Sequence, residues 1–501
     1  MRPVCLSSRV ARSCAPAKMA ACVALPFAMA AIGGCGGSSG GSIKPPEGNT
    51  KVTVVVSSAA NDELSQFYIG LTGLTLTSQS GKTVTLFSAG ANGANTYNPE
   101  FIHLNSTATS LGTTSAADDT YTSATLTAGS ASFTCLTYDA SQESLYNSVY
   151  AYGQTPQSQV TVNLPSPITV TGDTMTLLLQ LQAAQSVTLG QCGSTVANNY
   201  TITPTFNLSP LKLSPQPTNY TNGKQTAVYG AVTSVTAGSG FAVQTGYTPS
   251  NPVTQMPVSI ATDSSTVYQG IGGLSSITAG MFADMDLALL ADGSLLAMRV
   301  AVHDPNAVDV IAGPVAYVSN VVPAVLVFGQ QVQGSDLLGN TMDFDSSKAV
   351  YAISQQIGNL ASLPFTPSFQ ASNLVPGQYV YVTTPAFTVK GLNNYPVPNT
   401  LTLVPQNIDG TVTAVSSSGG FDVYTVSLAS YDLFANLADQ PGQASLISEP
   451  SVVQVYVDGN AQMLNGAAPA AGETLRFHGL VFNDGGTLRM DCDLVDTGVS
   501  Q

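Results

Sequence analysis

Residues 230–241 read GAVTSVTAGSGF and residues 410–421 read GTVTAVSSSGGF. The two stretches match almost position for position at an offset of 180 residues. In each, a strand of alternating apolar and polar residues is followed by a glycine turn and a second strand. Glycine turns between alternating strands are typical of β-hairpins. The pair therefore predicts an all-β fold that repeats within one chain.

A second pair of hairpins follows the first. Residues 280–302 read GMFADMDLALLADGSLLAMRVAV, and residues 472–494 read GETLRFHGLVFNDGGTLRMDCDL. Here the offset is 192 residues, so the later copy carries about twelve extra residues between its hairpins. Two matched hairpins are too little for a solenoid and fit small closed barrels better.

A middle copy is more divergent. It opens at Gly313, DSSKAVY from Asp345 matches DSSTVY from Asp263, and the strand after Gly377 takes the place of the strand after Gly280. Three small β-barrels are therefore predicted, at residues 227–304, 313–407 and 408–496.

The region before the repeats also has a strand pattern. Segments such as KVTVVVSS, SGKTVTLFS and TMTLLLQLQ alternate or run apolar over strand lengths within residues 52–208, which predicts a β-sandwich. The Pro-rich stretch SPLKLSPQPTNYTNGKQ follows, so residues 209–226 are predicted to be a linker. The fold class is thus all-β, an N-terminal β-sandwich followed by three small β-barrel repeats.

Both parts resemble known families. The layout of residues 52–208, with a strand near the start, a short helix and a Ser-Gly hairpin, resembles domain of unknown function 4382 of bacterial lipoproteins. The repeats, with their Gly-Xaa-Val-Thr-Xaa-Val strand and an Asp-Gly hairpin leading into LLAMRV, resemble domain of unknown function 5666. That family is a small β-barrel module of bacterial exported proteins. These resemblances imply a fold and a cellular setting, and they bring no catalytic residues.

The N-terminus has the pattern of an export signal. Residues 1–18 are basic, residues 19–32 are an apolar run too short to span a bilayer comfortably, and Ile32-Gly33-Gly34-Cys35 ends it. This sequence resembles the lipobox of bacterial lipoproteins. The resemblance implies removal of signal peptide 1–34 and lipidation of Cys35, with residues 35–51 as a Gly/Ser/Pro tether. The alternative is an ordinary secretory signal in which Cys35 is incidental.

The composition limits the partners. Charged residues make up 9% of the chain, against roughly 25% in typical globular proteins. All four basic residues before Cys35 would leave with the signal, so the mature chain would have 10 basic and 29 acidic residues, a formal charge of −19. Nucleic acid is therefore excluded as a partner, because binding it requires a positive field. The membrane is reached through the lipid anchor alone.

Three cysteines follow Cys35. Cys135 and Cys192 are candidates for a disulfide in an oxidising compartment, where closing that loop would add roughly 4 kcal/mol. Strand alternation places Cys492 on one face with Leu488, Met490 and Leu494. The 192-residue offset sets Cys492 at the position of Val300, so a buried structural thiol is favoured over a reactive one.

Few residues point to catalysis or to a metal. The three histidines, His103, His303 and His478, have no second His or Cys at metal-ligand spacing. The adjacent pair His303 and Asp304 would point to opposite faces of a strand. We therefore predict no catalytic residues, no metal and no cofactor.

Acidic pairs recur along the chain. Where the spacing is two on a strand, both carboxylates lie on one face, where they either form a solvated acidic surface or bind a cation such as Ca²⁺. The solvated surface is favoured. The pairs are Asp118–Asp119, Asp284–Asp286, Asp343–Asp345 and Asp491–Asp493.

A cluster of tyrosines is a candidate binding surface. Tyr146, Tyr150 and Tyr152 lie within LYNSVYAYG, where they either hold a glycan or a protein or pack over a sheet edge.

These observations predict a non-enzymatic lipoprotein of the bacterial cell envelope that presents β domains for binding, adhesion or scaffolding. Gly36 follows the lipobox cysteine, with no Asp to favour inner-membrane retention, so we expect the outer membrane. Two alternatives stay open: an envelope hydrolase or metal-dependent enzyme without a recognisable motif, and a periplasmic carrier of lipid or glycan.

Overall fold

The all-β prediction is confirmed by a computed structural model of the chain. No helix in the described part of the chain is long and apolar enough to cross a membrane. The structure describes residues 49–59, 64–89, 97–99, 101, 109–139, 144–151, 159–186, 202–211, 224–245, 257–290, 294–304, 307–319, 324–333, 340–354, 360–385, 397–429, 432–439, 446–464 and 468–497.

The N-terminal region contains ten strands and one short helix within the described residues. They are β1 (Asn49–Ala59), β2 (Leu64–Ser78), β3 (Thr83–Ser88), β4 (Thr109–Ala117), β5 (Asp119–Asp139), β6 (Ser144–Ala151), β7 (Gln159–Val162), β8 (Ile168–Val170), β9 (Thr174–Gln182), α1 (Ala183–Ser186) and β10 (Phe206–Leu211). One sheet has the order β10-β9-β1-β4, with β1 and β9 parallel at its centre. The other has the order β3-β2-β5-β6, and β7 and β8 also pair with β5.

The two N-terminal sheets share one hydrophobic core, as a sandwich requires. The first sheet is buried on both faces. Val54 of β1 belongs to the core between the sheets, whereas its neighbour Val55 belongs to the core of the first barrel. Leu177 and Leu178 of β9 divide in the same way. This double burial explains why β1 and β9 have three consecutive apolar residues at their centres, Val54–Val56 and Leu177–Leu179, rather than strict alternation.

The repeats contain seventeen strands and one short α-helix within the described residues. The first has β11 (Lys224–Thr236), β12 (Gly240–Thr245), β13 (Val258–Ala261), β14 (Val267–Gln269), β15 (Phe282–Leu289) and β16 (Leu295–His303). The middle one has β17 (Val308–Val318), β18 (Ala324–Gln333), β19 (Asn340–Asp345), β20 (Val350–Ile353), β21 (Tyr379–Pro385) and β22 (Thr400–Leu403). The third has β23 (Gln406–Ser418), β24 (Phe421–Leu428), α2 (Leu433–Ala438), β25 (Val452–Leu464), β26 (Thr474–Asp484) and β27 (Thr487–Thr497).

All three repeats have the same strand order, and the pairings that close this order into a barrel are found in the first and third. The third is a closed barrel, β23-β24-β25-β27-β26. The first closes in the same order because β13 pairs in parallel with β16, and β14 adds a second parallel pairing to β16. In the middle repeat the order β18-β17-β21-β22-β20 is the same, and β19 pairs with β18. The repeat predicted from the hairpins is thus present in the backbone.

Backbone hydrogen bonds fix the correspondence between the copies. One valine in each copy exchanges two backbone hydrogen bonds with the residues that open the second hairpin: Val232 with Gly280 and Met281, Val315 with Gly377 and Gln378, and Val412 with Gly472 and Glu473. The three glycines have φ values of 92°, 91° and 94°. A positive φ favours glycine, which is why this residue recurs at the same place in every copy.

The predicted equivalence of Cys492 and Val300 is wrong. Register places Cys492 opposite Gly479, as Ala297 lies opposite Leu287, so Cys492 corresponds to Ala297. The hairpin of the third copy has three more residues between equivalent positions, and both copies have a β-bulge at the same place. The bulge falls at Asp493 and reverses the alternation, so that Val495 rather than Leu494 joins Cys492 in the core.

Strands extend into two segments predicted to be unstructured. β1 begins at Asn49, inside the predicted tether. β10 continues to Leu211 and β11 begins at Lys224, inside the predicted linker.

Each domain shares hydrophobic side chains with the next. Val55, Leu178 and Leu211 of the N-terminal region pack into the core of the first barrel. Phe282 of β15 forms a cluster with the outer face of the middle sheet, which includes Tyr381. Lastly, Leu480 and Phe482 of β26 lie in the core of the middle repeat. Neighbouring domains are therefore joined by shared hydrophobic clusters.

Candidate functional site

Charged side chains are buried at one equivalent position in the first and third barrels. Each copy has a glycine with positive φ at the start of its second hairpin. The fourth residue after that glycine is Asp284 in β15, Tyr381 in β21 and Arg476 in β26. Register pairs these residues with Tyr229, Ala312 and Asp409 respectively. All three lie on the outer face of their strand, because the residues that flank them belong to the inner cores.

In the first barrel, two carboxylates bind one guanidinium. Arg299 Nε donates to Asp286 Oδ2 at 2.6 Å, and Arg299 Nη2 donates to Asp284 Oδ1 at 2.9 Å. The Nη1 atom of Arg299 donates to Gln269 Oε1 at 3.1 Å. We call Asp284, Asp286, Arg299 and Gln269 the junction cluster. It follows from strand geometry, since Asp286 lies directly opposite Arg299 in the β15–β16 register.

The junction cluster overturns one prediction. Asp284 and Asp286 do share a face, as their spacing predicts, but the face is neither a solvated acidic surface nor open to a cation. Both residues are buried, and their oxygens accept hydrogen bonds from Arg299. Burial alone would lower the pKa of Arg299, but the two carboxylates raise it above its ordinary value. Arg299 therefore stays charged, and it binds both carboxylates of the cluster by hydrogen bonds and ion pairing.

Tyr381 and His303 lie beside the junction cluster. Tyr381, from the middle repeat, is fully buried, and burial raises the pKa of its hydroxyl well above the ordinary value, with a further contribution from the charge of Asp284. His303 ends β16, and burial lowers the pKa of its imidazole. This histidine is therefore neutral at pH 7. Its neighbour Asp304 is exposed, and the Asp304 carbonyl accepts hydrogen bonds from Ala307 and Val308.

In the third barrel the charges are reversed and more deeply buried. Arg476 is 1% exposed and Asp409 is 0% exposed. Arg476 Nε donates to Asp409 Oδ1 at 2.7 Å, and Arg476 Nη2 donates to Asp409 Oδ2 at 2.5 Å, a bidentate pair. Asp496 lies opposite Arg476 in the β26–β27 register and is 4% exposed.

A third carboxylate joins this pair from the helix that covers it. Asp432 is the N-cap of α2, and its Oδ1 accepts a hydrogen bond from the backbone of Ala435 at 3.0 Å. Its Oδ2 accepts another from the backbone of Asp409 at 2.7 Å. We call Asp409, Asp432, Arg476 and Asp496 the helix cluster. Burial, with the charge of Asp409, raises the pKa of Asp432 to about 7.

His478 and Cys492 both make hydrogen bonds within the third barrel. His478 is 5% exposed, and its Nδ1 lies 2.7 Å from Asp493 Oδ1. The bulge at Asp493 makes this contact possible, since the bulge turns that side chain toward the face of His478. Cys492 is buried and its thiol donates to the carbonyl of Leu494 at 3.2 Å. Burial, and then the charge of Asp493, raises the pKa of the thiol well above its ordinary value, so it stays protonated and unreactive.

A third guanidinium lies at the edge between the middle and third repeats. Arg489 Nε donates to Asp484 Oδ2 at 2.8 Å, and Arg489 Nη1 donates to Gln454 Oε1 at 2.9 Å and to the Tyr456 hydroxyl. Its guanidinium carbon lies 5.3 Å from the centroid of the Phe365 ring. Arg489 is thus held both by hydrogen bonds and by a cation–π contact.

Aspartates of the remaining acidic pairs accept separate local hydrogen bonds. Asp118 accepts a hydrogen bond from the Thr50 hydroxyl at 2.7 Å. Asp119 accepts one from the backbone of Thr120, which lowers the pKa of its carboxyl. Asp345 accepts one from the backbone of Ser347 at 3.0 Å at the start of a single helical turn. Among the described residues, no group of three or more His, Cys, Asp and Glu side chains has an arrangement that would hold a metal ion.

Several predicted site residues lie wholly or partly beyond what the structure describes. Cys35, His103, Cys192 and Tyr152 are outside the described residues. Cys135 is in β5, where register places it opposite Leu64 of β2 and Ser148 of β6. Tyr146 and Tyr150 belong to strand β6.

Sequence reasoning missed the helix cluster and Arg489. The available signal was a charge inside an otherwise apolar strand. The chain has only 14 lysines and arginines, and Arg476 and Arg489 lie in the strands TLRFHGLVFND and TLRMDCDLVDT. A lone arginine in such a strand needs a buried anion. The sequence does not reveal which one, because Asp409 precedes Arg476 by 67 residues.

No protein-family model matches this sequence, and no curated protein matches it either. The assignment of a function therefore depends on features of the sequence, such as the lipobox-like segment, and on the geometry. In the described part of the chain, all three of these guanidinium groups bind carboxylates of their own barrel.

Proposed function

We propose that this chain is a non-enzymatic lipoprotein of the bacterial cell envelope whose β domains form one internally braced body. In this proposal the acylated Cys35 anchors the body to a membrane, for which we expect the outer membrane. The body presents its surfaces to a protein or glycan partner. The resemblances to domains of unknown function 4382 and 5666 belong to the same proposal.

The observation that supports a scaffold is the sharing of hydrophobic cores across domain junctions. Val55 lies in the core of the first barrel, and Phe482 lies in the core of the middle repeat. A chain of independent binding modules would instead have exposed, polar linkers between its domains. Shared cores suit a protein that must hold its domains in fixed positions at a membrane surface.

The charged side chains described above form ion pairs within their own barrels, which also favours binding or scaffolding over catalysis. A hydrolytic site needs a nucleophile beside a base and a group that orients the base. His478 does have an orienting carboxylate, Asp493. However, His478 is 5% exposed, and the neighbouring thiol of Cys492 is buried and protonated.

The anchor is tested by replacing the cysteine. In Cys35→Ser, we expect loss of labelling by radioactive palmitate and accumulation of the uncleaved precursor, whereas Cys22→Ser in the predicted signal peptide keeps both labelling and cleavage. Labelling that persists in Cys35→Ser contradicts the lipid anchor. Cleavage without labelling in wild-type protein would support the ordinary secretory signal instead.

A further inference from the structure

The helix cluster contains more negative than positive charge in a site with little access to water. It brings together three carboxylates and one guanidinium: Asp409 from β23, Asp432 from the N-terminus of α2, Asp496 from β27 and Arg476 from β26. Their exposed fractions are 0%, 0%, 4% and 1% respectively. The bidentate pair of Arg476 and Asp409 matches one negative charge with the one positive charge. If every group were ionised, two further negative charges would remain.

An uncompensated buried carboxylate is expensive, so such a site retains a proton. Asp432 is the group whose surroundings favour this, since it is fully buried next to Asp409. Its pKa accordingly lies near 7 rather than near 4. The two hydrogen bonds that it accepts from backbone groups favour ionisation, but burial has the larger effect.

Asp432 controls an element that touches two domains. It caps α2, whose residues Phe434, Leu437 and Ala438 are buried. The Phe434 ring packs so closely over Gly377 of the middle repeat that a Cβ there would lie 2.7 Å from Phe434 Cδ2. The helix therefore lies between the third barrel, to which Asp432 attaches it, and the middle repeat.

We propose that the helix cluster is a proton-operated latch that holds α2 between the third barrel and the middle repeat. With one proton bound, the latch is closed. When the proton leaves, two adjacent carboxylates repel each other beneath α2, and the helix loosens from its site.

The excess of negative charge is smaller in the two other copies: two carboxylates face one guanidinium in the first barrel, and the middle repeat has no charged residue at the equivalent positions. At the equivalent positions the middle repeat has Ala312 and Tyr381. The first barrel has Tyr229 and Asp284, and there Asp284 binds Arg299 directly.

The direction of the pH effect follows from the raised pKa. Because the closed state binds the proton more tightly than the open state, closure is favoured at low pH. That advantage declines as the pH rises from about 4, the ordinary value for Asp, to about 7, and it is absent above. One proton changes the opening equilibrium by up to about tenfold per pH unit within this window.

The test is hydrogen exchange of α2, measured by mass spectrometry on the full chain in detergent between pH 5 and pH 8. Rates are corrected for the intrinsic pH dependence of amide exchange. In the wild-type protein we expect opening of residues 432–439 to increase by up to about tenfold per pH unit up to about pH 7 and then to level off.

Three variants separate the latch from a general effect of pH. Asp432→Asn mimics the protonated carboxyl, so its α2 should exchange with no pH dependence. Asp432→Ser keeps an N-cap oxygen but has no titrating group, so its α2 should also exchange with no pH dependence. Asp439→Asn changes an exposed carboxylate at the other end of α2, and it should behave like the wild type.

Three results would overturn the proposal. These are wild-type exchange that does not depend on pH, a slope that persists in Asp432→Asn, and loss of the slope in Asp439→Asn. If Asp432→Asn does not fold, Asp432→Ser decides the question, and a slope that persists in that variant rejects the latch. None of these measurements depends on lipidation of Cys35.

Discussion

The first and third barrels have the same strand topology, the same bulge and the same positive-φ glycine, but they bury opposite charges at the equivalent position. Asp284 of the first barrel binds Arg299 on the neighbouring strand of its own hairpin. In the third barrel, Arg476 binds Asp409 on β23, and a helix closes over the pair. The backbone pattern is thus the same in both barrels. The side chains on the outer face differ, because a different part of the chain covers that face in each barrel.

What covers each site explains the difference in burial. The outer face of β15 packs against the middle repeat, and side chains of Arg299 and Asp284 there remain 11% and 12% exposed. The side chains of Arg476 and Asp409 are 1% and 0% exposed. Each charged group of the third barrel consequently depends more on its partner, because less water is present to solvate the group if that partner is removed.

The largest expected effect comes from removing the guanidinium of the third barrel. Arg476→Met leaves Asp409 buried without its bidentate partner, which should destabilise the barrel by about 3–5 kcal/mol. Arg299→Met should cost less, since its carboxylates keep some access to water. Native-state hydrogen exchange of β26 and β15 measures the two effects separately.

A double variant provides the control for this comparison. Asp409→Leu combined with Arg476→Met removes both charges, so it should recover most of the stability that Arg476→Met loses. Equal losses in Arg476→Met and Arg299→Met would contradict the proposed dependence on burial.

Glycine packing should produce the next largest effect and tests how far the two barrels are alike. A Cβ at Gly410 would lie 2.5 Å from the Ser427 carbonyl oxygen, and one at Gly230 would lie 2.8 Å from the Gln244 carbonyl oxygen. Replacement of either glycine by alanine forces a backbone shift, which should cost about 1–3 kcal/mol. We expect Gly410→Ala to cost more, as measured by exchange of the strands on either side.

The matched control is Gly112→Ala in β4, where an added Cβ meets nothing within 4 Å. If Gly230→Ala and Gly410→Ala were as mild as this control, the glycines would be dispensable and the shared hairpin sequence would need another explanation.

The parts of the fold that sequence could predict were local. The hairpins at 230–241 and 410–421 form as expected, because alternation and glycine turns act over a few residues. The parallel pairing of β1 with β9 was not predicted, since it joins residues more than 120 positions apart. Similarly, Asp284 and Asp286 could be placed on one face by their spacing, but their partner Arg299 depends on the register of a hairpin whose turn length is not fixed by the pattern.

The error at Cys492 has the same origin. A constant offset of 192 residues cannot account for a turn that is three residues longer, nor for a bulge that reverses the alternation after Cys492. The prediction of a buried thiol was nevertheless right, because Ala297 and Val300 both lie in the core of the first barrel. Burial is thus more robust to a register error than the identity of the neighbouring residues.

The smallest expected effect concerns Arg489, the most exposed of the three guanidinium groups. Its side chain is 24% exposed, and that of Asp484 is 38% exposed, so water and salt screen this pair. Arg489→Ala should lower stability by about 1 kcal/mol, mainly through loss of contact with Phe365 and Tyr456. Arg489→Lys keeps the charge, and its stability should fall between those of the alanine variant and the wild type.

The measurement is hydrogen exchange of β27 at low and high salt. The contribution of Arg489 to stability should fall as the salt concentration rises, whereas that of Arg476 should not. A salt response as strong at Arg476 as at Arg489 would show that the third barrel admits water to its buried pair, and the contrast between buried and exposed guanidinium groups would then fail.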